Sequence, residues 1–426
     1  MKLRLLAALV LFGFLNAPLA LRAAVLTQSN GVTFVGQPDP AADLVGTEIM
    51  LRAGLDRETP AQNGLAALVA ECILQSPAQG GETLLASVTD GGGSLSYRIE
   101  GRIARFYLEG MASSYGRLLA LFRSALSRPD FSAATLARAR AAVNLRRSDA
   151  QRLALNVGID MLNRAFYTDS DAGLPPYGLP EALAGFTGSD AAAFYAAHYR
   201  RGDAAISVVG NYNAADAYAQ LLDVLPPGGS SAAIVHQSPL ASSSRQLIAR
   251  RDVPVPWLVA QYPAPDLRSA DFGPMLVLTA FMERTLADVA SVPGIATRSS
   301  SESGVGTLYN FDARPANVIF YVDGGMGDPT RTFATALTVV NVLGHAKLQG
   351  SLSDMKTFAA GRFLLQATTL QDRAWLAGVF TQERLPADYL SAAVAAIDRT
   401  NAADLQRVAS RYLGAPTIAL VLPRGT

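Results

Sequence analysis

The chain repeats itself, and the repeat limits what it can fold into. Residues 189–210, "SDAAAFYAAHYRRGDAAISVVG", and 401–423, "NAADLQRVASRYLGAPTIALVLP", follow one plan. Each starts on a polar helix-capping residue, runs through an alanine-rich helix to a tyrosine (Tyr199, Tyr412), and turns into a β-branched strand. Upstream, "SLSYRIEGRIARFYLEGM" alternates as a hairpin and leads into the amphipathic "SSYGRLLALFRSAL"; "TLYNFDARPANVIFYVDGG" followed by "PTRTFATALTVVNVL" has the same order. Two such units in one chain predict a duplicated α+β protein, each half a mainly antiparallel sheet with helices on one face. The Pro-, Gly- and Ser-rich stretch 226–245, "PPGGSSAAIVHQSPLASSSR", reads as the linker between halves 25–225 and 246–426.

Composition narrows the function classes. Hydrophobic residues make up 50% of the chain and charged residues 17%, enough for a sizeable core and unlike a disordered protein. Lys plus Arg total 36 against 35 Asp plus Glu, so no long-range field draws in nucleic acid or an acidic membrane. At the N-terminus, Lys2 and Arg4 precede an apolar run from Leu5 to Leu15 and small residues at Ala17, Ala20, Ala23 and Ala24. That order predicts a signal peptide over 1–24 and a periplasmic or otherwise exported protein with no membrane span after cleavage. Cys72 is the single cysteine, so stability comes from burial without an internal disulfide. Set among Leu68, Val69 and Ile73, its expected role is that of a small core residue.

In "NGLAALVAECIL" (63–74), Leu65, Leu68, Val69 and Cys72 fall at i, i+3, i+4 and i+7, one apolar helical stripe, with Asn63 the expected cap. This stretch and its approach, "AGLDRETPAQNGLAALVAECIL", resemble the segment that opens the catalytic half of the insulinase/pitrilysin (M16) metallopeptidases. Downstream, "DGGGSLSYRIEGRIARFYLEG" resembles that family's hairpin, and "AAHYRRGDAAISVVGNYN" its closing helix and strand. The resemblance spans most of the mature chain and implies two homologous M16-type (LuxS/MPP-like) domains.

In the family the helix carries His-x-x-Glu-His: two histidines on one face hold zinc, the glutamate serves as base for the metal-bound water, and a later glutamate completes the ligands. Carried over, the first histidine falls on Ala67, the base on Ala70, the second histidine on Glu71 and the distal ligand near Arg146. Alanine has no lone pair to give a metal, and an arginine repels one. The only histidines, His198, His236 and His345, are far apart in sequence. The resemblance therefore implies a degenerate member with no zinc, no cofactor and no hydrolytic activity of its own. It also places Tyr309 where many members use a tyrosine to hold a peptide backbone. Glu302 falls where the accompanying arginine would stand, with Arg298 four residues earlier as a substitute. An ordinary strand aromatic is the other reading of Tyr309. The implied role is the non-catalytic subunit of a zinc peptidase, beside an M16 chain with an intact motif or a second copy of itself, helping to enclose peptides. A stand-alone peptide-binding or scaffolding protein of the cell envelope is the alternative.

Overall fold

The computed structural model describes residues 25–29, 31–78, 80–167, 171–230, 245–290, 304–324, 328–343, 352–386 and 388–424. The expected leader and most of the expected linker lie outside these residues, as does Arg298. In chain order the first half comprises β1 (Val25–Ser29), β2 (Val32–Pro38), β3 (Leu44–Leu51), α1 (Leu65–Gln75), α2 (Leu84–Asp90), β4 (Gly93–Ile99), β5 (Ala104–Met111), α3 (Tyr115–Ser127), α4 (Ala133–Arg152), α5 (Ala154–Phe166), α6 (Pro180–Gly185), α7 (Gly188–His198), β6 (Ala204–Gly210) and α8 (Ala214–Leu221). The second comprises β7 (Arg245–Arg251), β8 (Trp257–Pro263), α9 (Phe272–Ala290), β9 (Val305–Asn310), β10 (Asn317–Asp323), α10 (Pro329–Leu343), α11 (Leu352–Leu365), α12 (Leu370–Gln382), α13 (Tyr389–Arg399), α14 (Ala402–Tyr412) and β11 (Thr417–Pro423).

The first sheet has the order β1-β2-β6-β3-β5-β4, the second β7-β11-β8-β10-β9. Each contains one parallel pair, β2 with β6 and β7 with β11, and is otherwise antiparallel. The five strands β2-β6-β3-β5-β4 match β7-β11-β8-β10-β9 position for position, so the two-half α+β architecture read from the repeat is the one observed. The helices that close the repeats start alike. At α7 the Thr187 hydroxyl and the Asp190 carboxylate cap each other's backbone N–H, and Asn401 with Asp404 does the same at α14.

Each half packs helices of its own on one face of its sheet and receives a helix from the other half on the second face. Helix α5 leaves the first half and lies on β8 and β11 of the second sheet, setting Val157 and Leu162 against Val421, Val259, Ile319 and Ala419. Helix α12 makes the reverse journey onto β2, β3 and β6, bringing Ala374 against Tyr107 and Val209. A polar bond pins each crossing: Ser207 donates to the Ala374 carbonyl, and Gln261 Nε2 donates to Asn163 Oδ1 at 3.1 Å. Both helices approach through a glycine. A Cβ on Gly158 would stand 2.6 Å from Val259 Cγ2, and one on Gly378 would stand 2.8 Å from Met50 Cε.

The hairpins matched in the sequence also come together. Arg102, in the β4–β5 turn, and Arg314, in the β9–β10 turn, both pair with Glu383, at 3.3 and 2.6 Å, just past the end of α12. The repeat thus places equivalent arginines on either side of one carboxylate.

Because each sheet is finished by the other half, unfolding should be all-or-none. Gly158→Leu forces a side chain into the β-branched wall of Val259 and should cost about 2 kcal/mol. Single-tryptophan variants keeping Trp257, on the second sheet, or Trp375, on α12, should then show the same lowered denaturant midpoint. Separate midpoints would mean that the halves unfold independently.

Candidate functional site

Helix α1 is buried along ten of its residues, Leu65 through Leu74, so the stripe expected from its spacing is part of a face that closes all round. The cap is not Asn63. Gly64 occupies the cap position with φ 99°, and the capping group is the Glu58 carboxylate, which accepts from Gly64 N–H at 3.1 Å and Ala66 N–H at 2.6 Å. Asn63 instead ties the cap in place: its amide donates to Glu58 Oε2 at 3.0 Å and to the Pro175 carbonyl at 3.1 Å. Glycine is required at 64 by the positive φ and because a Cβ there would lie 2.9 Å from Gly178 Cα. A carboxylate at a helix N-terminus suits both the unpaired N–H groups and the helix dipole. Burial nevertheless outweighs these bonds and pushes the Glu58 carboxyl from 4.5 up to about 7.

The structure brings all four positions of the degenerate motif into one region, where α1 packs on α4. Ala67 and Ala70 are 0% exposed, leaving no donor and no base at the surface. Glu71 is bound by its neighbours: Arg146 Nε, from α4, stands 3.1 Å from Oε2, and Gln75 Nε2 donates to Oε1 at 3.0 Å. The Arg146 guanidinium also lies over the Tyr97 ring, with Cζ 4.8 Å from its centroid. Tyr97 comes from β4, the edge strand of the sheet. Its phenol is pushed well above its ordinary range, first by burial and then by the Glu71 carboxylate. Where the resemblance places a metal, the residues present make a carboxylate–guanidinium pair over an aromatic ring. This set does not fit zinc: two of the four side chains have no lone pair, the third is committed to a cation, and the fourth is that cation. Among the described residues, no group of three His, Cys, Asp or Glu side chains is placed to hold a metal ion. Cys72, on the same helix, is fully buried, and burial pushes its thiol up to about 12, out of reach of nucleophilic chemistry near neutral pH.

Tyr309 lies elsewhere, on β9 in the second half. Its hydroxyl donates to the Pro265 carbonyl and its ring packs with Phe272 and Phe311. Its hydroxyl and ring are thus both engaged beneath α9. His198, in the first half, sits with its ring 4.6 Å from Phe194, and burial followed by the Arg57 charge lowers its pKa.

A second buried charge cluster lies under α12. Glu48 on β3 is 0% exposed and meets Arg105 Nη1 at 3.3 Å; Arg105 also pairs with Glu100 at 3.1 Å and faces Trp375. Burial, only partly offset by Arg105, pushes the Glu48 carboxyl from 4.5 up to about 8. The cluster reaches α12 through Arg105, which lies over the Trp375 ring.

Two predictions follow from these charges. Glu48 and Glu58 hold protons in the folded chain that they lose when unfolded, so their contribution is full below about pH 4.5 and is lost as pH rises through about 7 to 8. His198, lowered, acts in the opposite sense below its ordinary 6.5. Urea midpoints should therefore fall between pH 6.5 and pH 8.5, and Glu48→Gln should flatten that slope. Arg146→Met leaves Glu71 buried without its cation and should cost about 2 kcal/mol at pH 7, less than for a fully buried pair because Arg146 is 36% exposed. The double variant Glu71→Leu/Arg146→Met should recover most of that cost. Equal costs for the single and double variants would show that the pair is not the linking interaction.

No protein-family model matches the chain, and no curated protein sequence matches it. Solved structures do. A protease from Helicobacter pylori superposes with a TM-score of 0.79 at 15% identity, over 94% of this chain and 99% of that one. The M16 peptidase inactive domain from Pseudomonas fluorescens superposes at 0.75 and 17%, over 94% and 98%. A chain of Complex III2 from Candida albicans, Inz-5 bound, superposes at 0.74 and 14%, over 93% and 95%. Structures named as a protease and as an inactive M16 domain are thus matched over nearly their full length, and the chain has the two-half fold of the M16 peptidases.

Proposed function

We propose that this chain is an exported, catalytically inactive M16-type peptidase homologue that serves as the non-catalytic subunit of a zinc peptidase. The observation that carries this reading is the Glu71–Arg146 pair, seated with Ala67 and Ala70 where an active chain carries its zinc ligands and base. A zinc peptidase needs a metal to polarise the scissile carbonyl and to lower the pKa of the attacking water, together with a base to take its proton. Here Ala67 offers no ligand, Ala70 no base, and the Arg146 guanidinium already supplies the positive charge that Glu71 requires. The likeness to a domain named as an inactive M16 peptidase supports the same reading. The hydrolytic centre then belongs to a partner chain with an intact His-x-x-Glu-His, and this chain contributes a wall that holds peptide. Lys2, Arg4 and the apolar run after them support export to the periplasm.

The test is affinity capture of the tagged chain from its native host, with zinc and peptide cleavage assayed on the eluate and on the purified chain alone. Co-elution of an M16 chain, with stoichiometric zinc and EDTA-sensitive cleavage only in the complex, is the expected result. Zinc and cleavage in the isolated chain would overturn the inactive assignment. Elution alone and inert would favour a stand-alone binding protein.

A further inference from the structure

The Glu71–Arg146 pair uses only one edge of the arginine. Nε stands 3.1 Å from Glu71 Oε2, whereas Nη1 and Nη2 make no hydrogen bond or ion pair among the described residues. Neither Nη is a buried atom, so both reach solvent. The Arg146 side chain is 36% exposed and that of Glu71 only 1%, which sets the paired edge inside and the unused edge outside. Two contacts fix the plane of the guanidinium: Glu71 holds the Nε edge, and the Tyr97 ring, with its centroid 4.8 Å from Cζ, holds one face. The unused N–H groups are therefore presented in a set direction. A guanidinium edge of this kind matches a carboxylate, which accepts two parallel bonds and supplies the opposite charge.

Helix α4 supplies the charge that a second carboxylate needs. It carries Arg138, Arg140, Arg146, Arg147 and Arg152 against one acid, Asp149. Asp149 pairs with Arg152 at 3.4 Å and does not occupy the Arg146 edge. Arg140 donates to the Leu183 and Phe186 carbonyls, at 3.1 and 2.8 Å, which leaves its charge unpaired. Arg147 has no ion pair among the described residues, and its Nη1 is buried without a hydrogen-bond partner. Glu71 is already balanced, with Arg146 on Oε2 and Gln75 on Oε1. We infer that the outer edge of Arg146 is a binding site for a peptide carboxylate, taken up where an active chain holds its metal. This deepens the peptide-holding role proposed above and rests on it. An arginine that serves only to satisfy Glu71 is the competing account, and the test separates the two.

The probe is an N-terminally fluorescein-labelled eight-residue peptide of alternating serine and leucine, titrated into the full mature chain by fluorescence anisotropy. Three forms are compared: a free C-terminal carboxylate, a C-terminal amide, and the amide with one central serine replaced by glutamate. The free acid should bind about tenfold or more tightly than the plain amide, and less tightly as salt is raised. If the glutamate form matches the acid, the site takes a side-chain carboxylate; if it binds like the plain amide, the site takes a chain terminus. Arg146→Lys keeps a cation for Glu71 but loses the planar edge, and should weaken the acid by about tenfold while leaving the amide unchanged. Glu71→Leu/Arg146→Met should bind both forms alike, with its urea midpoint showing that it is folded. The site is overturned if neither peptide binds, if wild type does not distinguish carboxylate from amide, or if both variants still do. Equal binding of acid and amide would leave peptide holding intact. Capture without an M16 partner would leave the carboxylate site standing.

Discussion

Everything else in this molecule rests on the reciprocal exchange of α5 and α12. A sheet of five or six strands has two faces to bury, and each half covers only one with its own helices. The second face of the first sheet carries Met50 together with the polar Glu48, Arg105 and Ser207. Covering it with α12 buries Met50 against Gly378 and satisfies Ser207 through the Ala374 carbonyl. The mirror-image contact of α5 does the same for Val259, Gln261 and Ile319. Glycines at 158 and 378 are what allow the helices to come this close. The halves are therefore not two domains that happen to touch. Each is completed by the other, and the arginines that flank Glu383 fasten the two hairpin tips where α12 ends.

The repeat was legible because it is written in local pattern: strand alternation, the helix that ends at Tyr199 or Tyr412, and the β-branched strand that follows. The exchange was not legible, because α5 and α12 have ordinary helical spacing and nothing in that spacing names the sheet they lie on. The same division runs through the site. Ala67, Ala70 and Glu71 can be read off a helix of fixed pitch, and the resemblance placed Arg146 opposite them as a residue hostile to a metal. That Arg146 would itself satisfy Glu71 depends on how α4 crosses α1, a tertiary fact. Glu58 was missed as the cap because it reaches Ala66 from eight residues upstream through a 3-10 turn (Pro60–Gln62), outside any fixed capping spacing. Tyr309 was placed correctly on a strand, but which way its ring points depends on which face of the second sheet carries α9.

The Glu71–Arg146 pair balances its charge within the chain. A metal centre holds buried carboxylate and imidazole groups together through one multivalent cation, and part of the fold's free energy then depends on metal supply. Here a single buried carboxylate faces a single guanidinium, so charge balances within the chain. The bond joins α1 to α4, the two helices that a shared metal would otherwise link. Tyr97 extends the arrangement to β4 by lying under the guanidinium, and the cation–π contact partly replaces the hydration that Arg146 gives up. The helix that would carry catalysis is thus retained as the centre of the first core. Its packing needs Ala67 and Ala70 to be small, and a histidine or glutamate returned to either position would have to displace neighbours that are already closed around it.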